Sequence, residues 1–292
     1  MLRQHSLCDF STSESWVILS PIEQSIKRKI EAVGTPLKDW DIQINYGIKT
    51  GCNEAFIITT EKRNEILANC QTEEERERTG NIIRPIIRGR DIKRYGYEWA
   101  DLWLIATFPS RHYDIEEYPA VKTYLLSFGI ERLEQTGKKY VINGEEVKAR
   151  KKTNNKWFET QDSINYWQDF LKPKIIWKRV GSILRFGYND NGALGLDSTC
   201  FATGKQIEYL CCVLNSPMGH YLLKDSPKTG TGDLLISVQA VEPIKVPLIN
   251  EEENSKFKNL FKTHQENEIN REVYELYNLS EEEIKFIMDN YY

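Results

Sequence analysis

At 292 residues, with 40% hydrophobic and 28% charged side chains, the chain can form one large domain or two smaller ones, and its composition is not that of a disordered protein. No apolar run approaches the roughly 20 residues that span a bilayer, and Met1–Phe10 lacks the basic and apolar blocks of a secretory signal. The six cysteines show no Cys-x-x-Cys spacing, which argues against a zinc site or a disulfide framework. We therefore expect a cytoplasmic protein without a membrane partner.

The first predicted element is a helix that begins at Ser20, with Pro21 in its first turn, and ends at Gly34. Residues 40–44 then alternate between apolar and polar side chains, which predicts a half-buried strand. Gly47 and Gly51 delimit a loop in which the backbone can approach a partner closely. The apolar run at 55–58 predicts the next strand.

Further along the chain, helices are predicted at 61–70 and at 119–133, the second interrupted by Gly129. Residues 72–80 are polar and are expected to be exposed. Residues 134–156 have few large apolar side chains and are expected to form an inserted loop or hairpin. The remaining predicted elements are strands at 102–108, 175–177 and 182–188, helices at 209–214 and 218–223, a flexible loop at 226–233, and helices beyond 251.

This mixture lacks a regular strand–helix–strand rhythm, so the predicted fold class is α+β, with a mixed, largely antiparallel sheet and flanking helices. We expect a target-recognition domain at 1–250 and an acidic helical appendage at 251–292. Residues 250–292 carry eleven acidic and five basic side chains. Apolar positions at helical spacing predict that this appendage contacts a partner protein rather than DNA.

The net charge of −4 conceals three basic stretches. They lie at 84–94, 138–156 and 172–185, and the third contains no acidic residue. Affinity for DNA depends on local cations placed against phosphates, so a mildly acidic total does not exclude it. Each stretch could instead be a solvated face, and that alternative stays open.

Catalytic motifs are missing from the sequence. There is no Pro-Pro step of the kind that precedes an aromatic residue in amino-methyltransferases, no glycine-rich cofactor loop after a strand, and no Pro-Asp step of a metal-dependent nuclease. The four histidines show no metal-ligand spacing. We expect no catalytic residue, metal or cofactor in this chain.

Several segments, in order, resemble the TaqI-like C-terminal specificity domain. They include Tyr46–Ile58, Pro85–Tyr95, Lys172–Trp177 and Tyr209–Ser216, and the similarity spans about residues 40–285. The resemblance implies the target-recognition part of a type IIG restriction-modification enzyme, whose S-adenosylmethionine-dependent domain methylates adenine. It implies double-stranded DNA as a partner, and it places S-adenosylmethionine and magnesium only in methyltransferase and nuclease parts. Whether those parts belong to the same polypeptide or to a separate subunit stays open.

Candidate DNA contacts follow from the glycine loop and the basic stretches. Arginine can grip phosphate or pair with guanine, asparagine can read adenine, and lysine can neutralise phosphate. The alternatives are a local ion pair between Arg90 and Asp91 and a tight turn capped by Asn53. A protein-interaction scaffold with an acidic helical tail is the competing function. The candidates are Lys49, Thr50, Asn53, Arg88, Arg90, Arg94, Lys148, Arg150, Lys151, Lys152, Lys178, Arg179, Arg185 and Lys228.

Overall fold

The computed structural model describes residues 19–292, so the prediction about Met1–Phe10 lies outside the described residues. The α-helices of the described part are α1 (Pro21–Val33), α2 (Asn53–Phe56), α3 (Thr60–Ala68), α4 (Glu73–Ile82), α5 (Pro119–Leu126), α6 (Ile130–Leu133), α7 (Ile207–Asn215), α8 (Pro217–Leu222), α9 (Val238–Val241), α10 (Glu251–Lys262), α11 (Glu266–Leu276) and α12 (Glu281–Tyr291).

The strands are β1 (Gly34–Pro36), β2 (Ile42–Tyr46), β3 (Ile57–Thr59), β4 (Ile83–Ile87), β5 (Ile92–Lys93), β6 (Gly96–Tyr97), β7 (Leu102–Ile105), β8 (Lys139–Ile142), β9 (Glu145–Lys148), β10 (Lys174–Lys178), β11 (Val180–Gly181), β12 (Phe186–Asn189), β13 (Leu194–Gly195), β14 (Thr199–Gly204), β15 (Leu234–Leu235) and β16 (Lys245–Pro247). Among the described residues no helix is long and apolar enough to cross a membrane.

The chain divides into two compact units. We call residues 43–180 and 185–204 the sheet unit, and residues 19–42, 181–184 and 205–292 the helical unit. This division does not fall at residue 250, because residues 251–292 belong to the same unit as residues 205–250.

The sheet unit contains two four-stranded sheets, in the orders β12-β10-β14-β2 and β13-β4-β7-β3. Strand β10 pairs antiparallel with both β12 and β14, so that Trp177 lies opposite Phe186 on one side and Cys200 on the other. Strand β13 runs parallel to β4, whereas β7 is antiparallel to both β3 and β4. The predicted α+β class with a largely antiparallel sheet is confirmed. Buried aliphatic and aromatic side chains from these sheets and from the segments that pack on them form the core, including Phe56, Ile86, Leu104, Phe170 and Phe201.

The predicted boundaries hold where the local signals are strong. Helix α1 begins after Ser20, whose backbone N–H donates to the Glu23 carboxylate while its hydroxyl accepts from the Glu23 N–H. The insert forms a hairpin of β8 and β9, turning through Asn143 and Gly144, both in the left-handed region. Helices α5 and α6 flank the interruption at Gly129.

Two segments of the sheet unit differ from the sequence-based assignment. A strand is predicted at 55–58, but α2 ends at Phe56 and β3 begins only at Ile57. Residues 72–80 are mostly exposed, as predicted, but most of them also form α4, which the apolar pattern does not predict. A capped helix with acidic side chains in its first turn needs no apolar periodicity. Thr72 caps α4 by accepting from the Glu75 N–H at 3.1 Å, and the buried Glu75 carboxylate accepts from the Gln71 and Ala120 amides.

In the helical unit, α7 is buried along almost its whole length and packs against α8, α10 and α11. The predicted helices at 251–292 are present, but their apolar side chains Leu260, Val273 and Tyr277 are buried within this unit. The Tyr277 hydroxyl donates to the Lys245 carbonyl at 2.8 Å. The apolar face that predicts docking on a partner protein is therefore buried within the helical unit itself.

Candidate nucleic-acid interface

The glycine loop after β2 is held against a turn at residues 195–199. The Gly47 N–H donates to the Thr199 carbonyl at 2.9 Å, and the Ile48 N–H donates to the Gly195 carbonyl at 2.8 Å. A Cβ atom on Gly47 would lie 1.9 Å from the Leu196 carbonyl oxygen, so only glycine fits there. The residue that follows Ile48, Lys49, is exposed.

The Arg88–Asp91 segment approaches the same turn. The Gly89 N–H donates to the Ser198 hydroxyl at 3.1 Å, and a Cβ atom on Gly89 would lie 2.8 Å from Lys178 Cγ. Arg88 donates from Nε and a terminal nitrogen to the Asp91 carboxylate at 2.9 and 2.7 Å, and this hydrogen bonding raises the pKa of Arg88. Arg88, rather than Arg90, is thus the local ion-pair partner of Asp91, and Arg90 is left exposed.

The end of β10 supplies two more cations at this turn. Lys178 is exposed and flanks Gly89, and the Arg179 N–H donates to the Ser198 carbonyl at 2.9 Å. Arg179 Nε is buried and has no hydrogen-bond partner within residues 19–292. The terminal nitrogens of Arg179 likewise form no hydrogen bond within these residues, and they retain unused donors for a ligand.

Lys49, Arg90, Lys178 and Arg179 therefore converge on one turn, and we call these four residues the basic face. In the described part of the chain none of the four forms an ion pair or a side-chain hydrogen bond. Elsewhere, cations commonly contact carboxylates, as in Lys29–Glu283 at 2.6 Å and Arg132–Glu54 at 2.9 Å. Unpaired cations gathered from distant parts of the sequence form the electrostatic surface that a polyanion needs.

A cleft of about 440 Å³ opens beside the basic face. Lys49 and Arg179 line it, together with Asn165 and two acidic residues, Asp162 and Asp197. Burial raises the pKa of Asp162, as does the charge of Asp197, while a backbone hydrogen bond from Lys49 and the charges of Lys49 and Lys151 lower it. The sequence does not predict these two aspartates or Asn165 as site residues, because nothing in their local sequence distinguishes them from ordinary loop residues.

The sequence profile of the TaqI-like C-terminal specificity domain matches residues 84–238. The chain belongs to this family. The matched region includes Arg90, Lys178 and Arg179 of the basic face and both aspartates of the cleft, whereas Lys49 precedes it. No curated protein sequence matches the chain significantly.

Two solved structures are similar to this specificity-domain chain. The type IIL restriction-modification enzyme MmeI, determined in complex with DNA, is 12% identical in sequence with a TM-score of 0.55, over 89% of this chain and 36% of MmeI, and it shares the fold. The type IIG restriction endonuclease BpuSI is 10% identical with a TM-score of 0.47, over 82% of this chain and 27% of BpuSI. The chain thus spans about a third of the length of MmeI and about a quarter of that of BpuSI.

Two predicted contact residues of the specificity domain are buried. Arg150 donates to the carbonyls of Leu133, Thr50, Glu159 and Trp157 at 2.6–2.8 Å, and burial lowers its pKa to about 10, so it stays charged at neutral pH. Thr50 is 1% exposed, and its hydroxyl donates to Asn53 Oδ1 at 2.6 Å. The prediction that Arg150 and Thr50 contact DNA is corrected, because both side chains are enclosed and hydrogen-bonded inside the sheet unit.

The other candidate DNA-contact residues do not all lie in one place. Arg185 is exposed and directly precedes Phe186, the first residue of β12. Lys151 is exposed in the sheet unit, and its charge lowers the pKa of Asp162. Asn53, Lys148 and Lys152 are exposed in the sheet unit, and the Arg94 guanidinium lies 5.7 Å from the Tyr95 ring centroid. Lys228 is exposed in a loop of the helical unit.

Proposed function

We propose that this chain recognises a specific double-stranded DNA sequence for a type IIG-like restriction-modification system. In this role it positions an adenine methyltransferase and endonuclease part on the target, in the same polypeptide or as a separate subunit. The observation that carries the proposal is the convergence of four unpaired cations on one turn. Three of the four lie within the segment matched by the specificity-domain family.

The two kinds of contact that recognition requires are both available on this surface. Lysines 49, 151 and 178 are exposed point charges suited to phosphate, which sets position without reading sequence. Arg90 and Arg179 carry planar guanidinium groups that form no ion pair within residues 19–292 and are suited to a guanine edge. Counterion release by the cations would supply affinity, and the arginines would supply discrimination.

In this role the chain itself neither transfers a methyl group nor cuts DNA, and other parts of the system carry out both reactions. Among the described residues no group of three or more His, Cys, Asp or Glu side chains could hold a metal ion. S-adenosylmethionine and magnesium are proposed to bind in the methyltransferase and nuclease parts. Incubation of the purified chain with S-adenosylmethionine, magnesium and plasmid is expected to give neither methyl incorporation nor cleavage. Methylation that a point substitution in this chain abolishes would contradict that assignment.

The direct test is a selection from random duplex DNA with the purified chain, followed by titration of the selected duplex at several salt concentrations. We expect enrichment of one sequence and a steep fall of affinity with salt. A matched control replaces Lys29 and Lys205, which are ion-paired in the helical unit, with alanine. The control should leave the salt slope unchanged. Absence of any enriched sequence would contradict the proposed function.

A further inference from the structure

The cleft beside the basic face contains charges of both signs, which phosphate binding does not explain. Asp162 and Asp197 lie in it with Lys49 and Arg179. A carboxylate near a phosphate costs free energy through repulsion. If the surface only held the DNA backbone, two aspartates beside its cations would weaken it, so they need a different ligand or a structural reason.

The two aspartates differ in the interactions that their carboxylates already make. The backbone N–H and the charge of Lys49 act on Asp162, and the charge of Lys151 adds to them. Asp197 has no hydrogen bond or ion pair from its carboxylate within residues 19–292. Asp197 therefore has free acceptor oxygens, and the terminal nitrogens of Arg179, which lines the same cleft, are unused donors within the described residues.

Backbone hydrogen bonds join the two segments that carry Arg179 and Asp197. Asp197 and Ser198 are neighbours in the turn at 195–199, and the Ser198 carbonyl accepts from the Arg179 N–H at 2.9 Å. The Leu196 N–H donates to the Ile87 carbonyl, and this joins the turn to β4. An acceptor and a donor thus line one cleft on two connecting segments, which backbone hydrogen bonds join to each other and to β4.

We propose that this cleft reads one G·C base pair in the major groove. Arg179 donates to O6 and N7 of the guanine, and Asp197 accepts from the 4-amino group of the cytosine. Of the base pairs, G·C matches this combination best, because arginine pairs bidentately with guanine and a carboxylate accepts from the cytosine amino group. Asp162 acts as a positioning residue that holds the Lys49 loop. The inference rests on the proposed function.

The experiment compares wild type, Asp197→Asn and Arg179→Gln in the full chain, with Asp190→Asn as the matched control. Asp190 is an exposed aspartate of the sheet unit that does not line the cleft. Each protein is first checked for unchanged thermal unfolding. Affinity is then measured for the duplex selected by wild type, for each single base-pair change of it, and for an unrelated duplex.

We expect one G·C position at which both cleft variants lose about tenfold or more of their discrimination, while Asp190→Asn does not. Asp197→Asn should bind the unrelated duplex as well as or better than wild type, since an acidic charge is removed. If Asp197 only repels DNA, it lowers the affinity for all duplexes alike. Asp197→Asn would then raise the affinity for every duplex and leave the sequence preference unchanged. That result overturns the inference.

A chemically modified duplex tests the role of Asp197 separately from that of Arg179. Replacing the cytosine at that position with an analogue that lacks the 4-amino group should weaken wild type and leave Asp197→Asn nearly unaffected. If wild type selects a sequence but both variants keep its preferences at every position, or lose preference only at an A·T pair, the base-pair assignment is wrong and the proposed function stands. If wild type selects no sequence, the proposed function fails, and the inference fails with it.

Discussion

The insert at 134–156 and strand β10 each carry one buried basic side chain and at least one exposed one. In the insert, Arg150 is buried against four carbonyls, and the adjacent Lys151 is exposed. In β10, Lys174 is fully buried and donates to the Phe170 carbonyl and to Asn189 Oδ1, both at 2.6 Å, whereas Lys178 is exposed. Both regions are basic in sequence, so local cation density does not tell which cations meet a ligand. A cation is buried where carbonyl or amide oxygens from elsewhere in the chain surround it, and it is available to a ligand where they do not.

The largest expected effect comes from the buried arginine. Arg150→Ala leaves four carbonyls without their charged donor, and we expect the free energy of unfolding to fall by at least about 3 kcal/mol. Urea denaturation measures this fall. Lys151→Ala, one residue further on, is the matched control and should change stability by less than about 0.5 kcal/mol. Equal losses of stability in the two variants would show that the buried Arg150 and the exposed Lys151 do not differ in their contribution to folding.

The next effect separates two arginines that lie two residues apart. Arg90→Ala should cost about 1–3 kcal/mol of binding free energy on the selected site and much less on random DNA, if Arg90 reads a base. Arg88→Ala leaves the buried Asp91 unpaired, so we expect lower thermal stability but unchanged discrimination. Gel-shift titration and thermal unfolding measure the two effects. Loss of discrimination in Arg88→Ala alone would reverse the assignment.

A pH effect tests the inner cation of β10. Burial, and then the charge of Arg84, lower the pKa of Lys174 to about 7 from its ordinary 10.5. Between these values the unfolded chain binds a proton that the folded chain has released, so the free energy of unfolding should rise with pH. Relative to Lys174→Met, wild type should gain at most about 1.4 kcal/mol per pH unit between about pH 7 and 9. Parallel pH curves of the two proteins would show that Lys174 stays charged when folded.

The smallest effect concerns the outer cations of the insert. Replacing Lys151 and Lys152 with alanine should weaken all duplexes alike and lower the salt slope by about one unit for each phosphate contact removed. Stability should not change, because both side chains are exposed. A change of preference between duplexes would assign a base-reading role to the insert.

The sequence by itself determined the elements whose signals are local. The helix start at Ser20 and the interruption at Gly129 each depend on residues within a few positions of one another. The mixed α+β class and the specificity-domain resemblance were also available from the sequence, because they depend on the order of segments along the chain. The basic stretches at 84–94 and 172–185 contain three of the four cations of the basic face.

Only the tertiary structure decided which charged residues are available to a ligand. Arg150 and Lys151 are adjacent in a basic stretch, yet carbonyls from residues as far away as Thr50 enclose the first, and the second is exposed. Asp197 and Arg179 share a cleft because a backbone hydrogen bond brings residue 198 against residue 179, a proximity that no local pattern encodes. Burial and hydrogen-bond satisfaction are properties of the whole packed unit, whereas a sequence pattern relates only residues that are close along the chain.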